Sequence, residues 1–497
     1  MKKMKLWMMA AILTFSGYAV LTSCTDSIAD NPTTPDQPEQ VADYTVIYYG
    51  HGGGNLDLSL LNNLKQFTQA DAKSYDNVNI CVQYKYSTLK SMMETYENYK
   101  KDTYLTEENK RQLLQAQEGI YPHAGKTLRY VVAPADDSED IPYYGLDNAD
   151  ATQIDSLVNF INWAATTCPA KKYVLIVSDH GGGYLPSNEL PVGEPPASTR
   201  GVMFDDGHNS NHFTAKTLPQ AIGQAAIRPQ VVYMDACLMN SVEYQFELAP
   251  VCDYLTLSTF LVPGQGGDYV ELVNALSQNP TDVEAALTRL AKATVNAWDQ
   301  NYVEGMPLFH DMTVTRTAGI DALGAEIRKL TDKLVDAYQN GGDEGKDAID
   351  ECTATAYRTN ENSPFYDFID YLQNLCIALP DVFGNALTHP MGTAFDNTIV
   401  YQQSSTWVEE NHHTVDLSIM LSCKGYYTVV GEQFGVPFYL RYYADGDMEA
   451  VMPSGESMRG DYWGSTLDAT YCQLRFDQQT GWSRWLKLNQ QEPNLEC

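Results

Sequence analysis

The sequence predicts an α/β protein built on a mostly parallel β-sheet with helices on both faces. Two short apolar runs, residues 173–177 (YVLIV) and 231–234 (VVYM), lack the polar alternation of half-exposed strands and are typical of strands buried on both faces. Predicted strands alternate with predicted helices through the first half of the chain, as parallel sheets require. Each of the two runs also breaks into a loop that carries a reactive side chain, His180 or Cys237.

The remaining elements follow in order. Before the His180 strand we predict strands at 44–49, 78–86 and 128–133 and helices at 56–67 and 150–165. After it come a proline-rich loop at 184–200, helices at 218–226 and 241–248, and a strand at 254–260. From about residue 276 onward, long amphipathic helical patterns give way to short strand-like runs. Because 497 residues exceed one hydrophobic core, we predict a first domain at 43–275 and a helical, then β-rich, C-terminal region at 276–497.

The charge excludes one class of partner. The chain has 64 acidic and 32 basic residues and a formal net charge of −32. Nucleic-acid binding needs concentrated Lys and Arg, so a nucleic-acid partner is not expected. The acidic surface is compatible with basic substrates, although simple solvation of the surface explains it equally well.

The N-terminus predicts export. Lysines at positions 2, 3 and 5 precede an apolar segment, as in a signal peptide, and the segment ends in Leu21-Thr22-Ser23-Cys24. This ending resembles a bacterial lipobox, which implies that residues 1–24 are a lipoprotein signal peptide and that Cys24 is lipidated. Residues 25–42 are then a flexible linker. An uncleaved anchor helix is the alternative. We expect a protein of the cell envelope, held at the outer membrane by its lipid.

The cysteines and glycine-rich motifs predict no cofactor. Ten cysteines lack any CxxC spacing, so neither a zinc site nor a disulfide framework is indicated, and only calcium is left open. Residues 51–54 (HGGG) are similar to a lipase oxyanion loop, but no Gly-x-Ser-x-Gly elbow follows. No Gly-Lys-Ser/Thr follows either, which argues against a phosphate loop. We expect His51 to lie at a neighbouring strand end, lining the cleft.

A Cys and a His at strand ends can together attack a carbonyl. Cys237 would be the nucleophile and His180 its general acid/base, with the backbone N–H groups of Gly181 and Cys237 as oxyanion hole. A helix expected just after Cys237 would favour the thiolate. The alternatives are an ordinary buried cysteine and an ordinary loop histidine. No Asp or Asn that orients His180 can be assigned from sequence, so a dyad is predicted.

These two stretches also carry a family resemblance. Residues 179–184 (DHGGGY), followed by residues 235–239 (DACLM), resemble the clostripain-like cysteine peptidases, relatives of gingipain, caspases and legumain. The resemblance covers residues 43–275 well and is weaker beyond them. It implies a caspase-like α/β/α sandwich and endopeptidase activity after Arg or Lys.

The resemblance also implies roles for three further residues. Asp235 matches the acid that receives a basic substrate side chain, with Asp268 a second candidate; alternatively, Asp235 only orders a loop. Residues 258–261 (STFL) depart from the acidic sequence that is usual there, so the pocket wall should be more apolar. Some members cut themselves between the His and the Cys, and Arg200 is the candidate site, although it could be an ordinary exposed arginine.

The leading hypothesis is therefore a monomeric, lipid-anchored cysteine endopeptidase that acts on proteins or peptides. The alternative is a catalytically inactive, peptidase-like surface lipoprotein that binds protein or glycan.

Overall fold

A computed structural model describes most of the chain. The described residues are 41–103, 105–132, 145–146, 149–183, 201–300, 309–359, 365–384, 389–411, 415–421, 427–433, 436–442, 448–451, 457–460 and 471–490. The predicted signal peptide with Cys24, residues 25–40 of the predicted linker and Arg200 lie outside them, while the last linker residue, Ala42, already belongs to the first strand.

The strands, in chain order, are β1 (Ala42–His51), β2 (Val78–Lys85), β3 (Thr127–Val131), β4 (Gly145–Leu146), β5 (Ala170–Ser178), β6 (Val202–Asp205), β7 (Asn211–Phe213), β8 (Val231–Asp235), β9 (Tyr254–Leu257), β10 (Asp311–Arg316), β11 (Phe365–Asp367), β12 (Ile399–Ser404), β13 (Ser418–Met420), β14 (Tyr427–Gln433), β15 (Val436–Tyr442), β16 (Met448–Val451) and β17 (Ser457–Gly460).

The helices are α1 (Asp57–Gln66), α2 (Leu89–Lys101), α3 (Glu107–Ile120), α4 (Ile154–Thr167), α5 (Thr217–Gln224), α6 (Val242–Leu248), α7 (Tyr269–Gln278), α8 (Val283–Asp299), α9 (Ile320–Asn340), α10 (Gly342–Thr355), α11 (Phe368–Ala378), α12 (Pro380–Phe383), α13 (Pro390–Thr398), α14 (Thr406–Asn411), α15 (Arg475–Thr480) and α16 (Trp482–Gln490).

The central sheet has nine strands in the order β12-β10-β9-β8-β5-β1-β2-β3-β4. Its middle is parallel: β2 pairs with β1, β1 with β5, β5 with β8 and β8 with β9. The outer strands β3, β4, β10 and β12 join antiparallel. The predicted α/β fold with a mostly parallel sheet is confirmed.

Helices cover both faces, and β1 shows why its sequence suits this arrangement. Ile47 and Tyr49 enter one apolar core, whereas Val46 and Tyr48 enter the other, because successive side chains of a strand point to opposite faces. The first core is formed with side chains of α4, α5, α6, α9, α15 and α16. The second is formed with side chains of α1, α7 and α8. A strand buried on both faces has no polar side, which explains the unbroken apolar runs.

The C-terminal half continues the same sheet. β10 and β12, both beyond residue 275, are two of its strands, and Trp482 and Trp485 of α16 are buried in the first core. The boundary after residue 275 therefore stays a prediction, while the hydrogen bonding of the sheet runs across it.

Three smaller sheets complete the described architecture. β6 and β7 form a hairpin, β11 pairs with β13, and β14 to β17 form a four-stranded antiparallel sheet, in keeping with the predicted helical and then β-rich region. Within the described residues, none of the helices combines the length and the apolar character needed to cross a bilayer.

Candidate active site

The register of two parallel strands brings His180 and Cys237 together. Ser178 at the end of β5 pairs with Asp235 at the end of β8, and the two candidate residues each follow two positions later. A Cβ placed on Gly181 would lie 2.2 Å from the backbone oxygen of Cys237 and 2.8 Å from its backbone nitrogen. Only glycine allows the two loops this approach. The loops that carry the two candidate side chains therefore lie in contact at the strand ends.

The Cys237 side chain is partly buried, and backbone N–H groups lie around its sulfur. The N–H of Val262 points to Sγ at 3.3 Å, and the N–H groups of Gly181 and of Cys237 itself also favour the charged sulfur. Burial is the larger effect and raises the pKa of the Cys237 thiol to about 11. At neutral pH the resting sulfur is therefore a thiol.

The helix predicted at 241–248 is present as α6, but it begins five residues after Cys237. α6 starts at Val242, and the Ser241 side chain caps it by accepting a hydrogen bond from the N–H of Tyr244. Cys237 is instead followed by Leu238, whose φ of 63° is unusual for a bulky residue and turns the chain sharply. The expected stabilisation of a thiolate by the helix N-terminus is wrong here, because that effect fades within one turn.

His180 is positioned by its side chain and its backbone. Its Nε2 lies 2.7 Å from Oδ1 of Asn55, in the turn that follows β1. Its backbone N–H donates to Oδ1 of Asp179 at 2.5 Å, and the other oxygen of that carboxylate accepts from the N–H of Phe204 at 2.8 Å. Burial lowers the pKa of His180 to about 4, and repulsion from His51 when that ring is protonated adds to the effect. The imidazole is therefore neutral at pH 7, and so is its thiol neighbour.

Asp235 is a buried carboxylate two residues before Cys237. Oδ2 accepts hydrogen bonds from the Tyr269 hydroxyl and, at 3.4 Å, from the N–H of Gly267. The hydroxyl of Tyr233 lies close enough to lower the pKa, but burial dominates and raises it. Oδ1 has no partner with hydrogen-bond geometry among the described residues. A buried acceptor of this kind is costly unless something supplies a donor.

Asp268 has a structural role in the same loop. Its side chain caps α7 by accepting from the N–H of Glu271 at 2.8 Å. It lies between Gly267 and Tyr269, the two residues that donate to Asp235. Both sequence-predicted acids are therefore near the site, but of the two only Asp235 has a buried oxygen without a hydrogen-bond partner among the described residues.

The loop after β9 forms a wall beside the sulfur. The buried carboxylate of Asp311 accepts from the Ser258 hydroxyl and the Thr259 N–H, both at 2.8 Å, and from the Phe260 N–H at 3.2 Å. Burial raises the pKa of Asp311 to about 6. Phe260 is buried, and Leu261 is 44% exposed immediately before Val262, the residue whose N–H meets Sγ. Phe260 and Leu261 give this loop apolar side chains beside the sulfur, and its place in the wall of a substrate pocket stays a prediction.

His51 belongs to a buried charge network. Its Nε2 lies 3.4 Å from Oδ1 of Asp205 and 3.5 Å from Oδ1 of Asp206. Burial opposes protonation of His51, but the carboxylates outweigh it and raise its pKa. The Lys85 ammonium lies 2.6 Å from Oδ2 of Asp205 and neutralises the network further.

The same network does not fit a calcium ion. Two groups have ligand-like geometry within the described residues: His51 with Asp205 and Asp206, and Asp205 with Asp150 and His208. Calcium prefers six to eight oxygen ligands, whereas each group contributes two carboxylates and an imidazole. The oxygen that Asp205 would offer the second group already holds the Lys85 ammonium and the Ala151 N–H. Neither group suits calcium.

Two residues that the sequence analysis did not single out support the site. Asn55 contacts the imidazole of His180, and Asn240 is a fully buried junction behind Cys237. The Asn240 amide donates to Thr259 Oγ1, Thr313 Oγ1 and the backbone oxygen of Asp416 at 2.9, 3.2 and 3.0 Å. In the sequence, only the position of Asn55 at the end of a glycine run pointed to a role for it. Nothing in the sequence indicated Asn240, because its hydrogen-bond partners are distant in sequence.

Comparisons with known proteins agree on one family. A family model described as the clostripain family matches residues 62–422. Clostripain from Hathewaya histolytica is 26% identical over 255 residues, which is 47% of this chain and 42% of that protein. The chain therefore spans about two fifths of the length of this curated relative.

Solved structures share the fold. A secreted cysteine protease from Bacteroides thetaiotaomicron, solved with an irreversible peptide inhibitor, is 16% identical with a TM-score of 0.53, covering 88% of this chain and 99% of that one. An inactive zymogen protease from Parabacteroides distasonis is 14% identical with a TM-score of 0.50, covering 89% of this chain and 99% of that one.

Proposed function

This chain belongs to the clostripain family, and from that premise we propose that it is a cysteine endopeptidase with Cys237 as nucleophile and His180 as general acid/base. The observation that carries the proposal is the contact between the Gly181 and Cys237 backbones, which holds the loop of the imidazole against the loop of the thiol and leaves N–H groups directed at the sulfur. These are the three components that acyl transfer to a cysteine needs.

The proposed reaction starts from a neutral pair. His180 takes the thiol proton as the Cys237 sulfur attacks the substrate carbonyl, so charge separation occurs only when the bond forms. The N–H groups of Gly181 and Cys237 donate to the developing oxyanion. His180 then gives the proton to the leaving amine, which departs and leaves a thioester. Water, deprotonated by His180, hydrolyses the thioester and restores the thiol.

The proposed specificity is for a basic residue before the cleaved bond. A Lys or Arg side chain would supply the donor that Asp235 Oδ1 lacks, and its charge would compensate a buried carboxylate. Gly266 and Gly267 bring the backbone close to the acid and its neighbour: a Cβ on Gly266 would lie 2.7 Å from Asp235 Oδ2, and one on Gly267 would lie 2.3 Å from the Tyr233 hydroxyl. Asp268 remains the second candidate for the pocket acid.

Self-processing after Arg200 is a further part of the proposal. The backbone oxygen of the next residue, Gly201, accepts a hydrogen bond from the Gly182 N–H at 2.9 Å. The segment that would begin at Gly201 after the cut is therefore hydrogen-bonded directly to the loop that carries His180. On a denaturing gel we expect two fragments for the wild type and one uncut band for Cys237→Ala. A single uncut wild-type band would refute maturation at Arg200.

We also propose export with a lipid on Cys24, and a monomeric enzyme acting on proteins or peptides. Metabolic labelling with a fatty acid should mark the wild type and not Cys24→Ala. Equal labelling of both would contradict the anchor.

The activity itself is tested with fluorogenic peptides that contain Lys or Arg. We expect the wild type and Cys376→Ala to cleave them and Cys237→Ala to be inactive; Cys376 is a matched control, a partly exposed cysteine with a hydrogen bond to the Phe383 oxygen. Activity that survives Cys237→Ala would eliminate the proposed dyad. Cleavage by the wild type would also eliminate the non-catalytic alternative.

A further inference from the structure

Asn55 ends the glycine-rich turn that follows β1, and its side chain meets the imidazole of His180. The turn closes through a hydrogen bond from the Asn55 N–H to the Gly52 oxygen at 3.1 Å. From that position Oδ1 of Asn55 reaches Nε2 of His180 at 2.7 Å. The two residues are 125 positions apart in the chain, so the contact depends on the pairing of β1 with β5.

The turn is built to pass directly over the imidazole. Gly53 has a φ of 54°, and a Cβ on it would lie 2.8 Å from His180 Cδ2 and 2.0 Å from Asp179 Oδ1. The backbone can therefore lie against the ring only if residue 53 is glycine. Glycine here is what lets the next polar side chain reach the ring nitrogen.

Other bonds hold the turn without using the Asn55 side chain. His51 Nδ1 accepts from the Gly53 N–H at 2.6 Å, and Ser87 Oγ accepts from the Gly54 N–H at 2.9 Å. The hydroxyl of Thr95 donates to the Gly54 oxygen at 3.1 Å. The turn therefore keeps its shape through bonds that do not involve the Asn55 side chain.

The contact selects one form of the imidazole. An amide oxygen only accepts, so Nε2 must carry the proton and Nδ1 is left as the free base. β5 lies between β1 and β8 in the sheet, with Asn55 following β1 and Cys237 following β8. Nε2 is engaged on the β1 side, so the nitrogen left for the thiol proton is Nδ1.

We propose that Asn55 is a positioning residue, which holds the His180 ring with Nε2 protonated so that Nδ1 exchanges the proton with Cys237 and the leaving amine. The proposal rests on the Cys237/His180 dyad proposed above and adds a third member to it. As His180 becomes charged during the reaction, the hydrogen bond from Nε2 to Asn55 strengthens, so its effect falls on the chemical step rather than on substrate binding.

Kinetics of Asn55 variants in the full-length protein test this role. For Asn55→Ala we expect kcat to fall about 10- to 100-fold, part of what general acid–base catalysis contributes, with KM within about twofold of the wild type. Asn55→Asp has the same shape and places a carboxylate at Nε2, which favours the imidazolium. We therefore expect the acid limb of its pH–kcat profile to move upward by about one unit or more.

Thr95→Val is the matched control, because it removes a bond to the same turn and leaves Asn55 in place. Its kcat and acid limb should match the wild type. Thermal unfolding of each variant separates lost activity from lost structure, and the near-isosteric Asn55→Asp keeps the test open if Asn55→Ala folds poorly.

Two outcomes distinguish the two proposals. If Cys237→Ala is inactive while both Asn55 variants keep the wild-type kcat and acid limb, the positioning role is refuted and the dyad stands. If Cys237→Ala is active, the dyad itself is wrong and the role of Asn55 falls with it.

Discussion

Replacing Asp235 with Asn should remove the preference for basic side chains without unfolding the protein. The exchange keeps the shape and an oxygen that can accept from Tyr269 and Gly267, but it removes the charge that a substrate cation would meet. Burial raises the pKa of Asp235 in the folded protein above its ordinary value of 3.8. Ionisation of this buried carboxyl therefore lowers the free energy of unfolding as pH rises above 3.8. The variant should therefore be at least as stable as the wild type at neutral pH.

The size of the effect follows from the burial. Asp235 is only 4% exposed, so a cation bound there in the variant would be buried without its counter-charge. Breaking a buried ion pair costs about 3–5 kcal/mol, which corresponds to about two to four orders of magnitude in kcat/KM. We expect this loss for Lys and Arg peptides, and little change for peptides in which norleucine or Gln replaces the basic residue.

The assay compares kcat/KM for these peptides in the wild type, Asp235→Asn and Asp268→Asn. Asn is as good a helix N-cap as Asp, so Asp268→Asn preserves the start of α7 and serves as the control. A loss confined to Asp268→Asn would transfer the role to that residue. Unchanged preference for basic side chains in Asp235→Asn would refute the reasoning.

Three further predictions concern the dyad and its support. The pKa of His180 is lowered to about 4, and the general base must be neutral, so activity should be lost only as pH falls through that value. We expect kcat at about pH 5.5 to stay near its plateau. An acid limb near pH 6.5, the ordinary pKa of His, would contradict this. Gly53→Ala should reduce kcat/KM at least about tenfold and lower the free energy of unfolding by about 1–3 kcal/mol. The control is Gly342→Ala, which has a similar φ of 68° but open space around its Cβ, so it measures the backbone cost alone. Equal effects of the two substitutions would contradict the proposed contact between residue 53 and His180. Asn240→Ala should lower the free energy of unfolding, measured in urea titrations, by about 2–4 kcal/mol because several buried groups lose their hydrogen-bond partner. The same substitution at the exposed Asn340 should change it by less than about 0.5 kcal/mol. Similar values for the two variants would refute the structural role of Asn240.

The central part of the fold was predictable because it depends on local pattern. A strand buried on both faces has an unbroken apolar run, and parallel strands bring their carboxyl ends to one edge, so the proximity of His180 and Cys237 follows from two short stretches. The apolar wall at residues 258–261 could be read in the same way. The predicted roles of His180, Cys237, Gly181 and Asp235 remain proposals for experiment.

What sequence could not reveal depends on pairing at long range. Asn55 gains its meaning only when β1 lies beside β5, and the glycine run before it was compared with hydrolase and phosphate motifs instead. Asp311 holds the wall loop from 52 residues away, through its bond to Thr259. The sharp turn after Cys237 was not predicted, because Leu238 adopts a left-handed conformation that its residue type does not suggest.

The most direct test of the account is covalent capture of the nucleophile. The full-length protein is treated with a peptidyl chloromethyl ketone ending in Lys, and the adduct is located by peptide mass spectrometry. We predict one adduct, on Cys237, that is strongly reduced in His180→Ala and in Asp235→Asn. Labelling of another residue, or efficient peptide cleavage by a protein whose Cys237 stays unmodified, would contradict it.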